Sequence, residues 1–128
     1  MDTFGFSERQ WNSAKREIRE ILVKRAKQPD NQTISYSDLV GQLKSVTLEP
    51  HDSRLNQLLC DVSSEESAAG RGMLSVLVVH KHGEAQPGEG FFTLARQLGR
   101  TGTNIEIWVS ECERVLKFWR TPEGAAQQ

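Results

Sequence analysis

From residue 8 onward apolar side chains recur at steps of three and four: Trp11, Ala14, Ile18, Ile21 and Leu22 share one stripe, with Arg25 at its end. That period belongs to a helix packed on one side. Ser7 and Gln10 stand in front of it at capping-box spacing and Pro29-Asp30-Asn31 stops it, so a helix is expected over residues 8–28. Its opposite side carries Lys15, Arg16, Arg19, Lys24 and Lys27 against Glu17 and Glu20, the one basic face in the pattern. A short extended piece, residues 32–34, leads to Ser35 and Asp38, which cap a second helix over residues 36–44 with Tyr36, Leu39, Val40 and Leu43 turned inward. A third helix is expected over residues 52–62. It buries Leu55, Leu58, Leu59 and Val62 and presents Ser53, Arg54, Asn56 and Gln57 on the other side. Ser63-Ser64-Glu65-Glu66 reads as the cap of a further short helix ending at Gly70.

At Met73 the period changes. Residues 73–80 are rich in β-branched side chains without helical spacing, and Val76, Leu77, Val78 and Val79 leave no alternation, so a strand buried on both faces is expected there. Residues 81–90 hold Gly83, Pro87, Gly88 and Gly90 and read as an exposed loop. Phe91, Phe92, Leu94, Ala95 and Leu98 make a short helix closed by Gly99. In the last helix Ile105, Trp108, Cys112, Val115 and Trp119 alternate three and four, and Val109 and Leu116 widen the stripe. No internal repeat is present, and residues 121–128 are expected to form a flexible tail.

A chain of 128 residues has room for one core without staples, and a single compact domain is expected over residues 1–120. With 37% apolar and 26% charged residues, the composition excludes disorder, collagen and a membrane protein. Sixteen Lys and Arg against 17 Asp and Glu give a formal charge of −1, so contact with double-stranded DNA would have to come from a local patch. Cys60 and Cys112 stand far apart among apolar neighbours, as reduced core thiols of a cytoplasmic protein do. Met1-Asp2-Thr3-Phe4 has no basic leader, and the longest apolar stretch, residues 74–79, is far below spanning length, so a soluble cytoplasmic protein with no membrane contact is expected.

The order helix, short strand, helix, helix, strand, loop is that of a winged helix-turn-helix. The expected fold is therefore α+β and mainly helical: a winged-helix-like core with a small β-sheet and two additional C-terminal helices. In that layout the third helix lies in the major groove, where Arg54, Asn56 and Gln57 have donors that match base edges. Lys81 and His82, with His80, stand at the start of the wing, placed to meet phosphates. Asp52, Asp61, Glu65 and Glu66 around the helix, and Glu84 and Glu89 in the loop, oppose a polyanion.

Ile34-Ser35-Tyr36-Ser37-Asp38-Leu39-Val40, followed by Val78-Val79-His80-Lys81-His82-Gly83, resembles the winged-helix half of the O6-alkylguanine alkyltransferases and alkyltransferase-like proteins over residues 33–83. The family's Pro-Cys-His-Arg motif, or Pro-Trp-His-Arg in the relatives, is absent, since this segment reads Leu74-Ser75-Val76-Leu77-Val78. The resemblance therefore implies topology and no alkyl transfer.

Other chemistry is sparse. In an extended strand His80, His82 and Glu84 share a face and can converge on a metal ion, with His51 or Glu89 completing the shell, or can act as acid and base. The competing reading is that His80 ends the strand and a polar loop begins. Pro87-Gly88-Glu89-Gly90 precedes a helix as phosphate loops do, but without a Lys-Ser/Thr pair and with Glu89 of the wrong sign. Trp108, Phe118 and Trp119 form either the lid of the core or a dimer seam. Three functions are therefore expected in turn, the leading one with no bound cofactor. The first is a non-enzymatic binding or regulatory module that reads DNA, and the second is a protein-interaction module, accessory subunit or homodimer using the loop and the last helix. The third is a small metal-dependent enzyme at His80, His82 and Glu84.

Overall fold

The computed structural model describes residues 5–80 and 86–121. Along the chain run α1 (Glu8–Ala26), β1 (Ile34–Ser35), α2 (Tyr36–Gly41), α3 (Ser53–Ala68), a 3-10 turn (Leu74–Leu77), β2 (Val78–Val79), α4 (Glu89–Gln97) and α5 (Asn104–Arg120). The fold is mainly helical α+β, as expected. The expected tail after residue 121 lies outside the described residues.

Helix α1 forms where its cap and stripe place it. Ser7 Oγ accepts the Gln10 amide at 3.0 Å while the Gln10 side chain takes the Ser7 amide at 2.9 Å, so two amides at the start of the helix are satisfied. Trp11, Ala14, Ile18, Leu22, Val23 and Ala26 are buried and pack on α3, α5 and the 3-10 turn. Helix α2 is shorter than expected, ending at Gly41, because the Lys44 and Ser45 amides turn away to the Glu17 carboxylate at 3.1 and 3.2 Å.

Two sequence expectations are corrected around α3. Ser63-Ser64-Glu65-Glu66 does not start a new helix, since α3 runs unbroken to Ala68. Ser63 faces inward, and the helix stops ahead of Gly70, the expected stop, whose φ of +79° opens the way for the Arg71 amide to reach Glu66 O at 3.0 Å. Residues 73–80 are not one strand. Residues 74–77 coil into the 3-10 turn, and only Val78 and Val79 extend. A short buried apolar run carries no period that separates the two conformations. The surroundings decide: α1, α3 and α5 all pack on residues 74–77, leaving side chains rather than a second strand to meet their backbone. The Ser75 amide donates to Ser63 Oγ at 3.0 Å, and the Met73 amide donates to Glu111 Oε2 at 2.9 Å.

Strands β1 and β2 form a two-stranded parallel sheet, Ile34 beside Val78 and Ser35 beside Val79. A parallel pair requires a long crossover, which here contains α2, α3 and the 3-10 turn. The core of the expected wing, residues 81–85, lies outside the described residues.

In α5 the inward face is turned from the one the apolar spacing points to. Ile107, Glu111, Val115 and Trp119 are buried, whereas Ile105 is 63% exposed. A carboxylate holds a core position because Arg100 accompanies it there, with Nε to Oε1 at 3.0 Å and Nη2 to Oε2 at 3.1 Å. No described helix is long and apolar enough to cross a membrane.

Candidate functional site

The three side chains expected to read base edges do lie on the first turns of α3, and two of them, Arg54 and Gln57, are bonded within the chain. Asp52, the N-cap of α3, accepts the Arg54 amide at 2.9 Å and grips the Arg54 guanidinium, Nε to Oδ1 at 3.1 Å and Nη2 to Oδ2 at 2.8 Å. These bonds from Arg54 hold the Asp52 carboxyl at about 2. The same guanidinium lies 4.7 Å from the centre of the Phe6 ring. Asn56 is exposed and its amide stands over the start of α4, where a Cβ at Gly90 would lie 1.9 Å from Oδ1 and make the side chain turn away. Gln57 donates to Asp61 Oδ1 at 3.0 Å, and Asp61 Oδ2 accepts the Trp11 indole at 3.1 Å. Further along, Glu65 pairs with Lys15 at 2.6 Å. Asp52, Asp61 and Glu65 thus outnumber Arg54 and Lys15 on this side of α3.

Of the expected wing and metal residues, Lys81, His82 and Glu84 lie outside the described residues. His80 is exposed beyond β2, its ring centre 5.1 Å from that of Tyr36. The Tyr36 hydroxyl accepts the Gly88 amide at 2.9 Å, and burial pushes its pKa up. Among the described residues no three His, Cys, Asp or Glu side chains are grouped to hold a metal ion. Gly88 and Gly90 serve packing: one faces Tyr36 and His80, the other Asn56.

Both thiols are half-buried. Burial raises Cys60, and at Cys112 burial followed by the Glu111 and Glu113 charges pushes the thiol to about 11. A thiol that stays protonated at neutral pH is a poor nucleophile. Trp119 is a lid on the core, 1% exposed, with the Phe118 ring edge-on at 5.0 Å and the Arg19 and Lys27 cations 5.5 and 5.7 Å from its centre.

The sequence reading names the last helix as a contact surface but sets Ile105 on its inward stripe, whereas the structure puts that residue on the outer flank of α5. Ile105 at 63% and Val109 at 49% are the exposed large apolar residues of the described chain. Beside them lie Trp108, Cys112 and Leu116, each half-buried, so Ile105, Val109, Cys112 and Leu116 form one continuous edge at four- and three-residue steps. The signal was present in the width of the stripe. Val109 and Leu116 make it broader than one packed face uses. Glu106 and Lys117 border this edge on the same side, close to three turns apart, and both are exposed.

No family model, curated protein or solved structure matches the chain.

Proposed function

We propose that the chain is a non-enzymatic interaction module that pairs with a second copy of itself through the outer edge of α5. The observation that carries this reading is the exposure of Ile105 and Val109 in line with Cys112 and Leu116, on a helix whose other side is already packed. Scattered surface apolar residues need no explanation, but a contiguous edge on a regular element does. The opposite charges at its two ends support a second copy as the occupant. Glu106 borders the N-terminal end and Lys117 the C-terminal end, so two α5 helices laid antiparallel about a two-fold axis near the middle of the edge bring Glu106 of one copy to Lys117 of the other. The same arrangement sets the two helix dipoles head to tail. Ile105 then meets Leu116 of the second copy, and Val109 meets Cys112.

Sedimentation equilibrium over a range of protein concentration tests this. The expected result is a monomer–dimer equilibrium that Ile105→Glu combined with Val109→Glu shifts to monomer, with an unchanged circular dichroism spectrum. A monomer at every concentration overturns it. The reading of α3 as a DNA-binding helix has less support, since Arg54 is paired to Asp52 and the surrounding charge is acidic. Duplex affinity that falls steeply with salt and is lost in Arg54→Ala would favour it over self-pairing.

A further inference from the structure

We propose that the cleft between the α4–α5 connection and α5 is a binding site for a phosphoryl group, held by the Arg114 guanidinium and the Thr101 and Ser110 hydroxyls. The cleft has a volume of about 300 Å³ and is lined by these three residues with Gly99, Arg100 and Ile107. It lies on the flank of α5 away from the Ile105–Leu116 edge, so it is independent of the pairing proposed above.

The two arginines of the cleft differ. Arg100 is committed to the protein: it holds the Glu111 carboxylate with two arms, and its Nη1 donates to Leu98 O at 3.3 Å. In doing so it also quiets the negative end of α4. The Arg100 amide donates to Ala95 O at 2.9 Å, the Gly99 amide to Arg96 O at 3.1 Å, and Leu98 O takes the Arg100 side chain, so these three carbonyls at the end of that helix are occupied. Arg114 is different. Its one partner among the described residues is Glu111 Oε1 at 3.5 Å, with half its side chain exposed. That distance orients the guanidinium without using up its donors.

Charge and shape then point the same way. Two guanidiniums against one buried carboxylate leave the cleft with an excess positive charge. Ser110 and Arg114 stand one turn apart on α5, and Thr101 approaches from the connecting loop, so donors come from two walls. A planar carboxylate is satisfied by the guanidinium fork alone. A tetrahedral phosphoryl group offers further oxygens out of that plane, which the hydroxyls match. Gly99, at φ +94°, turns the chain at the cleft wall without a side chain to fill it, and no atom lies within 4 Å of where a Cβ would stand.

Isothermal titration of the full chain with inorganic phosphate, at ionic strength matched with chloride, tests the site. The expected result is saturable binding that weakens at least about tenfold in Arg114→Gln and less in Arg114→Lys, in keeping with the loss of charge-assisted bonds. Combining Thr101→Val with Ser110→Ala should weaken it severalfold. All three positions are exposed, so thermal melts of the variants should match the parent. Glycerol phosphate run alongside separates the sources: tighter binding than inorganic phosphate marks an ester as the ligand, and equal binding marks the free anion. No phosphate binding beyond that of chloride overturns the proposal, as does undiminished binding by Arg114→Gln.

Discussion

Arg100 and Glu111 form a two-armed ion pair at 3.0 and 3.1 Å inside the helical layer, and the same Glu111 carboxylate accepts the Met73 amide at 2.9 Å. One acidic side chain therefore ties α5, the loop before it and the entrance of the 3-10 turn together. Removing one member of a buried pair leaves the other charge unpaired. Glu111→Ala is expected to cost about 3–5 kcal/mol, and Glu111→Gln, which keeps the shape and an acceptor, about 1–3 kcal/mol. Urea unfolding followed by circular dichroism reads both, and equal midpoints for Glu111→Ala and the parent would contradict the role given to this pair.

The acid limb of stability follows from the same groups. Burial alone raises the Glu111 carboxyl, but bonds from Arg100 and the Met73 amide hold it below its usual 4.5. Glu66 is likewise raised by burial and brought below 4.5 by its bonds from Arg71 and Arg19. A carboxyl with a lower pKa folded than unfolded adds stability that is complete above the unfolded value and is lost as pH falls through the folded one. Stability should therefore be flat from neutrality down to about pH 5 and fall below that. In Glu111→Gln the fall should be shallower, as measured by unfolding free energy against pH.

Ser63 and Ser75 make a second buried tie. Ser63 Oγ accepts the Ser75 amide at 3.0 Å and donates to Ser75 Oγ at 2.6 Å, and both residues are buried. Ser63→Ala leaves a buried amide and a buried hydroxyl short of a partner, at an expected cost of about 1–3 kcal/mol. Ser75→Ala removes one hydroxyl and keeps the amide bond, so it should cost less. Reversal of that order in denaturant melts would show that the amide contact is not the important one.

These ties explain which parts of the fold the sequence discloses. Ser7 with Gln10, Ser35 with Asp38, and Asp52 with Arg54 act within three residues of one another, and the helix starts they define are legible from spacing alone. The 3-10 turn is not legible, because its backbone partners Ser63 and Glu111 lie 12 and 38 residues away. The register of α5 is hidden for the same reason: apolar spacing favours Ile105 and Cys112, and only the presence of Arg100 makes Glu111 tolerable inside. Of the expected readers on α3, the pairing of Arg54 by Asp52 is visible in sequence, whereas the seat of Gly90 on Asn56 depends on where α4 returns.

Gly72 and Gly99 separate backbone strain from crowding. Both have positive φ, +90° and +94°. A Cβ at Gly72 would stand 2.9 Å from Val115 Cγ2, while at Gly99 nothing lies within 4 Å. Gly99→Ala should show the left-handed penalty alone, about 1–2 kcal/mol. Gly72→Ala adds a clash with a buried branched side chain and should cost more, by about 1–3 kcal/mol. Combining Gly72→Ala with Val115→Ala should not simply add the two losses, since shortening the valine removes the clash; additive melts would mean that crowding at Val115 is not the cause.

Self-pairing through α5 has a charge signature that hydrophobic contact alone lacks. Lys117→Glu places like charges at both ends of the antiparallel pair, opposite Glu106 of the other copy, and should weaken the dimer severalfold at low salt. Glu106→Lys weakens it too and removes the carboxylate that accepts the Thr103 amide at 2.9 Å, so its own helix-capping loss is measured separately by melting. The double exchange restores opposite charges across the axis and should recover association towards the parent value, with the recovery shrinking as salt rises. A parallel pairing sets Lys117 beside Lys117 instead, so Lys117→Glu would exchange one like pair for another and the second exchange would bring no rescue. The charge-swap cycle thus reports the direction of the helices as well as the existence of the contact.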